Sequence, residues 1–155
     1  MLDSSSGEPN RRRTATPQAW GCMMDIDEDR LQEFMGMFMG DMGGATTVLM
    51  VGLGDELGFY DVMASGDPMR AADVAEAAGC NARLTQEWLD QQASAGYLVY
   101  DAGSLTYALP VEHAMALAQR QSPVFVAGGT IAMVAMFEDF ERVTAAFRGD
   151  GGLAW

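Results

Sequence analysis

The chain has 155 residues, 49% of them apolar and 20% charged, enough for one domain with a single hydrophobic core, or for one domain plus a helical extension. Its 22 acidic residues outweigh nine basic ones, all arginine, giving a net charge of −13. That field repels phosphate backbones and anionic lipid, which argues against nucleic-acid and membrane partners. Cys22 and Cys80 are too few for a disulfide framework and lack any Cys/His spacing that holds a metal.

Residues 1–23 read as a disordered leader, because they offer no apolar period and nothing to bury. The run Arg11-Arg12-Arg13 is followed by Thr14-Ala15-Thr16-Pro17 rather than by the apolar stretch an export signal requires, so the expected location is the cytoplasm. From Leu31, an apolar stripe of Phe34, Met35, Phe38, Met42, Ala45 and Leu49 recurs at helical spacing. Gly36, Gly40 and Gly43 or Gly44 fall on another face and would let a second helix approach closely. Gly43-Gly44 is expected to break this segment, with a second helix from Ala45 to about Ala64. The stretch 34–54 is long enough to cross a bilayer. Asp41 near its middle, its glycines and its acidic flank Asp25–Asp29 instead favour a helix buried in an interface. Asp41 would then need a partner such as Arg30 or Arg142.

A short helix over Met69–Ala78, ended by Gly79, is followed by a longer amphipathic one from about Ala82 to Ala95, ended by Gly96. Tyr97–Tyr100 and Leu105–Leu109, joined by Asp101-Ala102-Gly103-Ser104, form a hairpin. That order of elements predicts a mainly α fold: a winged helix-turn-helix with a short β-hairpin wing and additional N- and C-terminal helices. Trp88, among Leu84, Leu89 and Gln92, is its expected core anchor. Val111–Leu117 follows as a short helix and Pro123–Phe147 as a longer one, whose uncharged front half should be buried against the Met-rich helix. The expected domains are the leader 1–23, interface helices 24–64, the winged helix 65–117, and 118–155 as a C-terminal helix with the start of a linker.

Three segments carry a resemblance: Gly54-Asp55-Glu56-Leu57-Gly58-Phe59-Tyr60, then Gln86–Asp101 with its Glu87-Trp88-Leu89 and Ala95-Gly96-Tyr97-Leu98-Val99-Tyr100-Asp101, then Leu109–Ala114. Together they resemble the N-terminal region of a family of class I S-adenosylmethionine-dependent methyltransferases. The resemblance implies a winged-helix dimerisation domain whose helices help close the substrate pocket of a following Rossmann-like domain. That domain would be missing here or separately encoded, so the chain by itself is expected to bind no cofactor and to be inactive, while the full-length family uses S-adenosylmethionine. A homodimer is expected. Met35, Phe38, Met39, Met42, Met133, Met136 and Phe137 are the candidate pocket or dimer contacts, and Trp20 and Trp155 lie where a further domain would cover them.

Other candidates weigh less. The GxG pair Gly52-Leu53-Gly54 lies inside an apolar helical segment and precedes Asp55 and Glu56, whereas a phosphate-cradling loop follows a strand and opens a helix. His113 beside Glu112 could form an acid–base couple but has no nucleophile or metal ligand with it, and reads as structural. The alternative function is a stand-alone winged-helix transcriptional regulator, or a module binding a ligand or partner. Charge weighs against DNA: between Gly66 and Pro110, Arg70 and Arg83 face Asp67, Asp73, Glu76, Glu87, Asp90 and Asp101.

Overall fold

The computed structural model describes residues 26–149. The chain divides into two compact units, residues 1–39 and 40–155. In the first, the described residues form the opening turns of helix α1 (Glu28–Glu56), which start with the acidic residues Glu28 and Asp29, a favourable charge at a helix N-terminus. Leu31, Phe34, Met35, Phe38 and Met39 are all exposed there, and Phe34 stacks on Phe38 at 6.3 Å.

The second unit holds the rest of α1 and then α2 (Phe59–Val62), α3 (Ala71–Ala78), α4 (Ala82–Ser94), β1 (Val99–Asp101), β2 (Thr106–Ala108), α5 (Val111–Leu117), a single turn of 3-10 helix (Ala127–Gly129), α6 (Thr130–Glu138) and α7 (Phe140–Arg148). This is the mainly α winged helix-turn-helix that the sequence predicts, with extra helices at both ends. Helix α1 does not break at Gly43-Gly44, contrary to expectation. Thr46 and Thr47 donate their hydroxyls to the carbonyls of Met42 and Gly43 at 2.9 and 3.0 Å, and glycine lowers helix propensity by only about 1 kcal/mol. The break falls instead at Gly58, whose φ of 71° is left-handed backbone that suits a residue without Cβ.

The helix-turn-helix is set by its caps. Gly79, at φ 66°, stops α3, and the Asn81 side chain then accepts from the Leu84 amide at 3.1 Å and starts α4. In the wing, β1 pairs antiparallel with β2 in the register Val99 to Ala108, Tyr100 to Tyr107 and Asp101 to Thr106. Met69 bridges to Tyr107 on the other edge of β2. The wing therefore closes onto the residue that leads into α3.

The core joins α2, α3, α4, the wing and α5 through Phe59, Tyr60, Met63, Val74, Trp88, Leu89, Leu98, Tyr107, Leu109 and Leu117. Trp88, 4% exposed, lies 4.8 Å from the Phe59 ring and 5.2 Å edge-on to Tyr60, and donates its indole N–H to the Met50 carbonyl at 2.8 Å. Tyr60 donates to Gln92 Oε1 at 2.6 Å, so the one polar residue on the inward face of α4 below Trp88 is satisfied.

The expected helix Pro123–Phe147 is two helices, α6 and α7, separated at Asp139 and preceded by the 3-10 turn. Asp139 accepts from Arg142 at 2.7 Å, which takes that arginine as a partner for its own helix rather than for Asp41, itself exposed. Within one chain the front half is not covered as expected. Only Thr130 is buried on α6, while Ile131, Val134, Met136 and Phe137 are exposed. The segment Thr-Ile-Ala-Met-Val-Ala-Met-Phe-Glu has apolar residues all round, so one contact at its first turn leaves the remainder uncovered.

Candidate functional site

Helix α4 and the wing form the surface that a winged helix would offer to a groove of DNA. Here their polar side chains are tied to one another. Gln86 and Asp90 on α4 both hydrogen-bond the Tyr107 hydroxyl on β2, and Gln86 Nε2 also donates to Asp90 at 3.1 Å. Burial, with the Asp90 carboxylate next to it, pushes the Tyr107 hydroxyl up to about 12. The one arginine on α4, Arg83, lies 3.6 Å from Glu87 a turn later.

At the wing tip Asp101 accepts from the Ser104 hydroxyl and the Gly103 amide, each at 2.8 Å. These bonds hold its carboxyl below the usual carboxylate range, so an exposed anion stands where a phosphate-gripping wing presents a cation. Leu105 completes the turn at φ 58°, a backbone region that bulky residues seldom adopt.

The glycines of the GxG pair are packing positions. A Cβ on Gly54 would stand 2.2 Å from Trp88 Cζ2, and one on Gly52 would stand 2.8 Å from Thr130 Oγ1. Both lie within α1, where amides are held in the helix ladder rather than presented to a ligand. The pair therefore offers neither space nor free amides to a bound nucleotide. Among the described residues no Gly-rich loop follows a strand, and Asp55, next to the pair, accepts from Arg120 at 2.9 Å. His113 places Nδ1 2.8 Å from the Tyr97 carbonyl, so that nitrogen carries the proton and clips α5 to the start of the wing. Among the described residues no group of three or more His, Cys, Asp or Glu side chains could hold a metal.

The candidate contact residues Met35, Phe38 and Met39 lie on the opening turns of α1 and Met42 farther along the same helix, all exposed. Met136, 65% exposed, and Phe137 are likewise open on α6, with Met133 half-buried. Around Gly36, Gly40, Gly43 and Gly44 a Cβ would meet nothing within 4 Å. Helix α1 is by length and composition long enough and apolar enough to span a membrane, and its apolar stretch is almost wholly exposed within one chain. Trp20 and Trp155 and the leader 1–23 lie outside the described residues. Sequence reasoning missed the Gln86–Asp90–Tyr107 cluster. The only sign of it was a pair of polar residues one turn apart on α4, a spacing common on any solvated helix.

The fold and these surfaces define a winged helix-turn-helix module with uncovered apolar helices at both ends. Residues 45–119 match the family model of the Rv2258c-like winged HTH domain. Two solved structures share the fold. PigF with SAH aligns at a TM-score of 0.57 with 21% identity, covering 79% of this chain and 33% of its own. CalO1, a methyltransferase in calicheamicin biosynthesis in its SAH-bound form, aligns at 0.58 with 24% identity, covering 83% of this chain and 37% of its own. The chain thus spans about a third of the length of these structures. No curated protein matches the sequence.

Proposed function

We propose that this chain is the N-terminal dimerisation and substrate-lid module of an S-adenosylmethionine-dependent methyltransferase, working in the cytoplasm, with the cofactor held by a Rossmann-like domain outside these 155 residues. The observation that carries this reading is the likeness to SAH-bound structures over only a third of their length. The GxG pair being locked inside α1 supports it. The uncovered methionines and phenylalanines of α1 and α6 then serve as the dimer face and as the lid of a substrate pocket, since exposed apolar patches of this extent mark interaction surfaces. Acidic side chains along α4 and at the wing tip weigh against a DNA-reading regulator.

Sequencing the coding DNA downstream tests the proposal. A segment encoding a strand, a Gly-rich loop and a helix, with an acidic residue after the next strand, is expected. Its absence, in any frame, would leave the winged helix as a module of another kind.

A further inference from the structure

A separate apolar feature lies between α1 and α4. Met50, Leu53 and Leu57 form one wall of a groove of about 440 Å³, and Leu84 and Trp88 the other, with Phe59 beneath. That volume falls within the roughly 300–1,000 Å³ of small-molecule sites. Glu87 supplies the only charge along the groove, and it lies beside Arg83. At its rim the Trp88 N–H is committed to the Met50 carbonyl, and the Asn81 side-chain oxygen to the Leu84 amide.

One polar group is not. Thr85, 1% exposed, lines the same groove, and its Oγ1 is buried with no hydrogen-bond partner. A buried hydroxyl without a partner is uncommon in native proteins, because its desolvation goes uncompensated. The walls around it are apolar, and Leu53, Leu57 and Leu84 are left exposed to water. A molecule that covers these leucines, and toward which the Thr85 hydroxyl turns by rotation about the Cα–Cβ bond, removes both costs.

We propose that this groove binds a small, uncharged, largely apolar molecule carrying one hydrogen-bonding group, which pairs with the Thr85 hydroxyl. The inference is independent of the methyltransferase reading, since it rests only on residues that line this groove. Its test uses the full chain with isotope-labelled tryptophan, titrated with a naphthol and with naphthalene, which has the same rings without the hydroxyl. The Trp88 indole signal, assigned by its loss in Trp88→Phe, should shift saturably with both, and the naphthol should bind about five- to tenfold tighter, the scale of one net hydrogen bond.

Thr85→Val keeps the shape and removes the hydroxyl, and should erase that preference while leaving naphthalene binding unchanged. Thr85→Ser keeps the hydroxyl and should retain the preference, and Leu53→Trp, on an exposed wall, should abolish both. The proposal is overturned if neither compound shifts the indole saturably, if the two bind equally, or if the preference survives in Thr85→Val.

Discussion

Replacing Gly54 with alanine adds one methyl group where α1 crosses the core. An ideal Cβ there would stand 2.2 Å from Trp88 Cζ2, 2.9 Å from Cε2 and 3.0 Å from Tyr60 Cε2, so the indole must move by about 1.5 Å to reach an ordinary contact distance. It is poorly placed to do so, packed against Phe59 and Tyr60 and held by its bond to the Met50 carbonyl. Overpacking of this kind costs about 1–3 kcal/mol, and losing the indole bond adds about 1 kcal/mol. The better helix propensity of alanine returns about 1 kcal/mol. The expected net loss is therefore about 1–3 kcal/mol, read from urea unfolding at one fixed protein concentration. Gly43→Ala, with nothing within 4 Å of the new methyl, is the control and should be neutral or stabilising by up to about 1 kcal/mol. Combining Gly54→Ala with Trp88→Leu should cost less than the sum of the two single changes, since the clash is then gone. A Gly54→Ala protein as stable as the parent would refute the close crossing of α1 and α4.

Further outcomes follow from the same structure. Trp88→Ala should lose about 3–5 kcal/mol, as expected for emptying a well-packed aromatic site, and a mild effect in the same unfolding assay would contradict its place as core anchor. Burial holds the Tyr60 hydroxyl well above its ordinary value of 10.0, and Tyr107 is raised to about 12. The folded chain thus keeps protons that the unfolded chain gives up above 10.0. This contribution to stability is intact below that pH and falls as pH rises from there toward and past 12, which tyrosinate absorbance and the unfolding midpoint, followed together, should register. Calorimetric titration of the chain with S-adenosylmethionine should give no heat of binding, and micromolar affinity would falsify the reading of the GxG pair. Gly40→Leu should disrupt self-association in sedimentation, because the glycine has open space beside it within one chain, and unchanged association would place the interface elsewhere.

Much of this fold is legible in the sequence because its signals are local. Gly79 marks the turn between α3 and α4, the alternation and Gly-containing turn around Asp101 mark the wing, and the spacing of Trp88, Leu89 and Gln92 marks the buried face of α4, although Leu84, expected beside them, is exposed and Thr85 is buried in its place. What was misread depends on competition that sequence alone does not resolve. Gly43-Gly44 carries a breaking propensity, yet the helix continues through it and the chain turns at Gly58, where left-handed backbone is used. The apolar run of α6 was expected to be buried against the Met-rich helix, but composition shows only that such a face needs a cover, not what supplies it. The Gln86–Asp90–Tyr107 cluster and the groove beside Thr85 arise from residues distant in sequence, brought together by packing of α4 against the wing and α1.

The proposed dimerisation role is tested most directly by the mass of the intact chain in solution. Helix α1 exposes Phe34, Met35, Phe38 and Met42, and α6 exposes Ile131, Met136 and Phe137, and clustered apolar side chains left to water mark interaction surfaces. A two-fold pairing would bury the same faces on both copies. Light scattering at micromolar concentration should therefore give twice the chain mass of 16.6 kDa. A folded, monodisperse species at 16.6 kDa would contradict the dimerisation role.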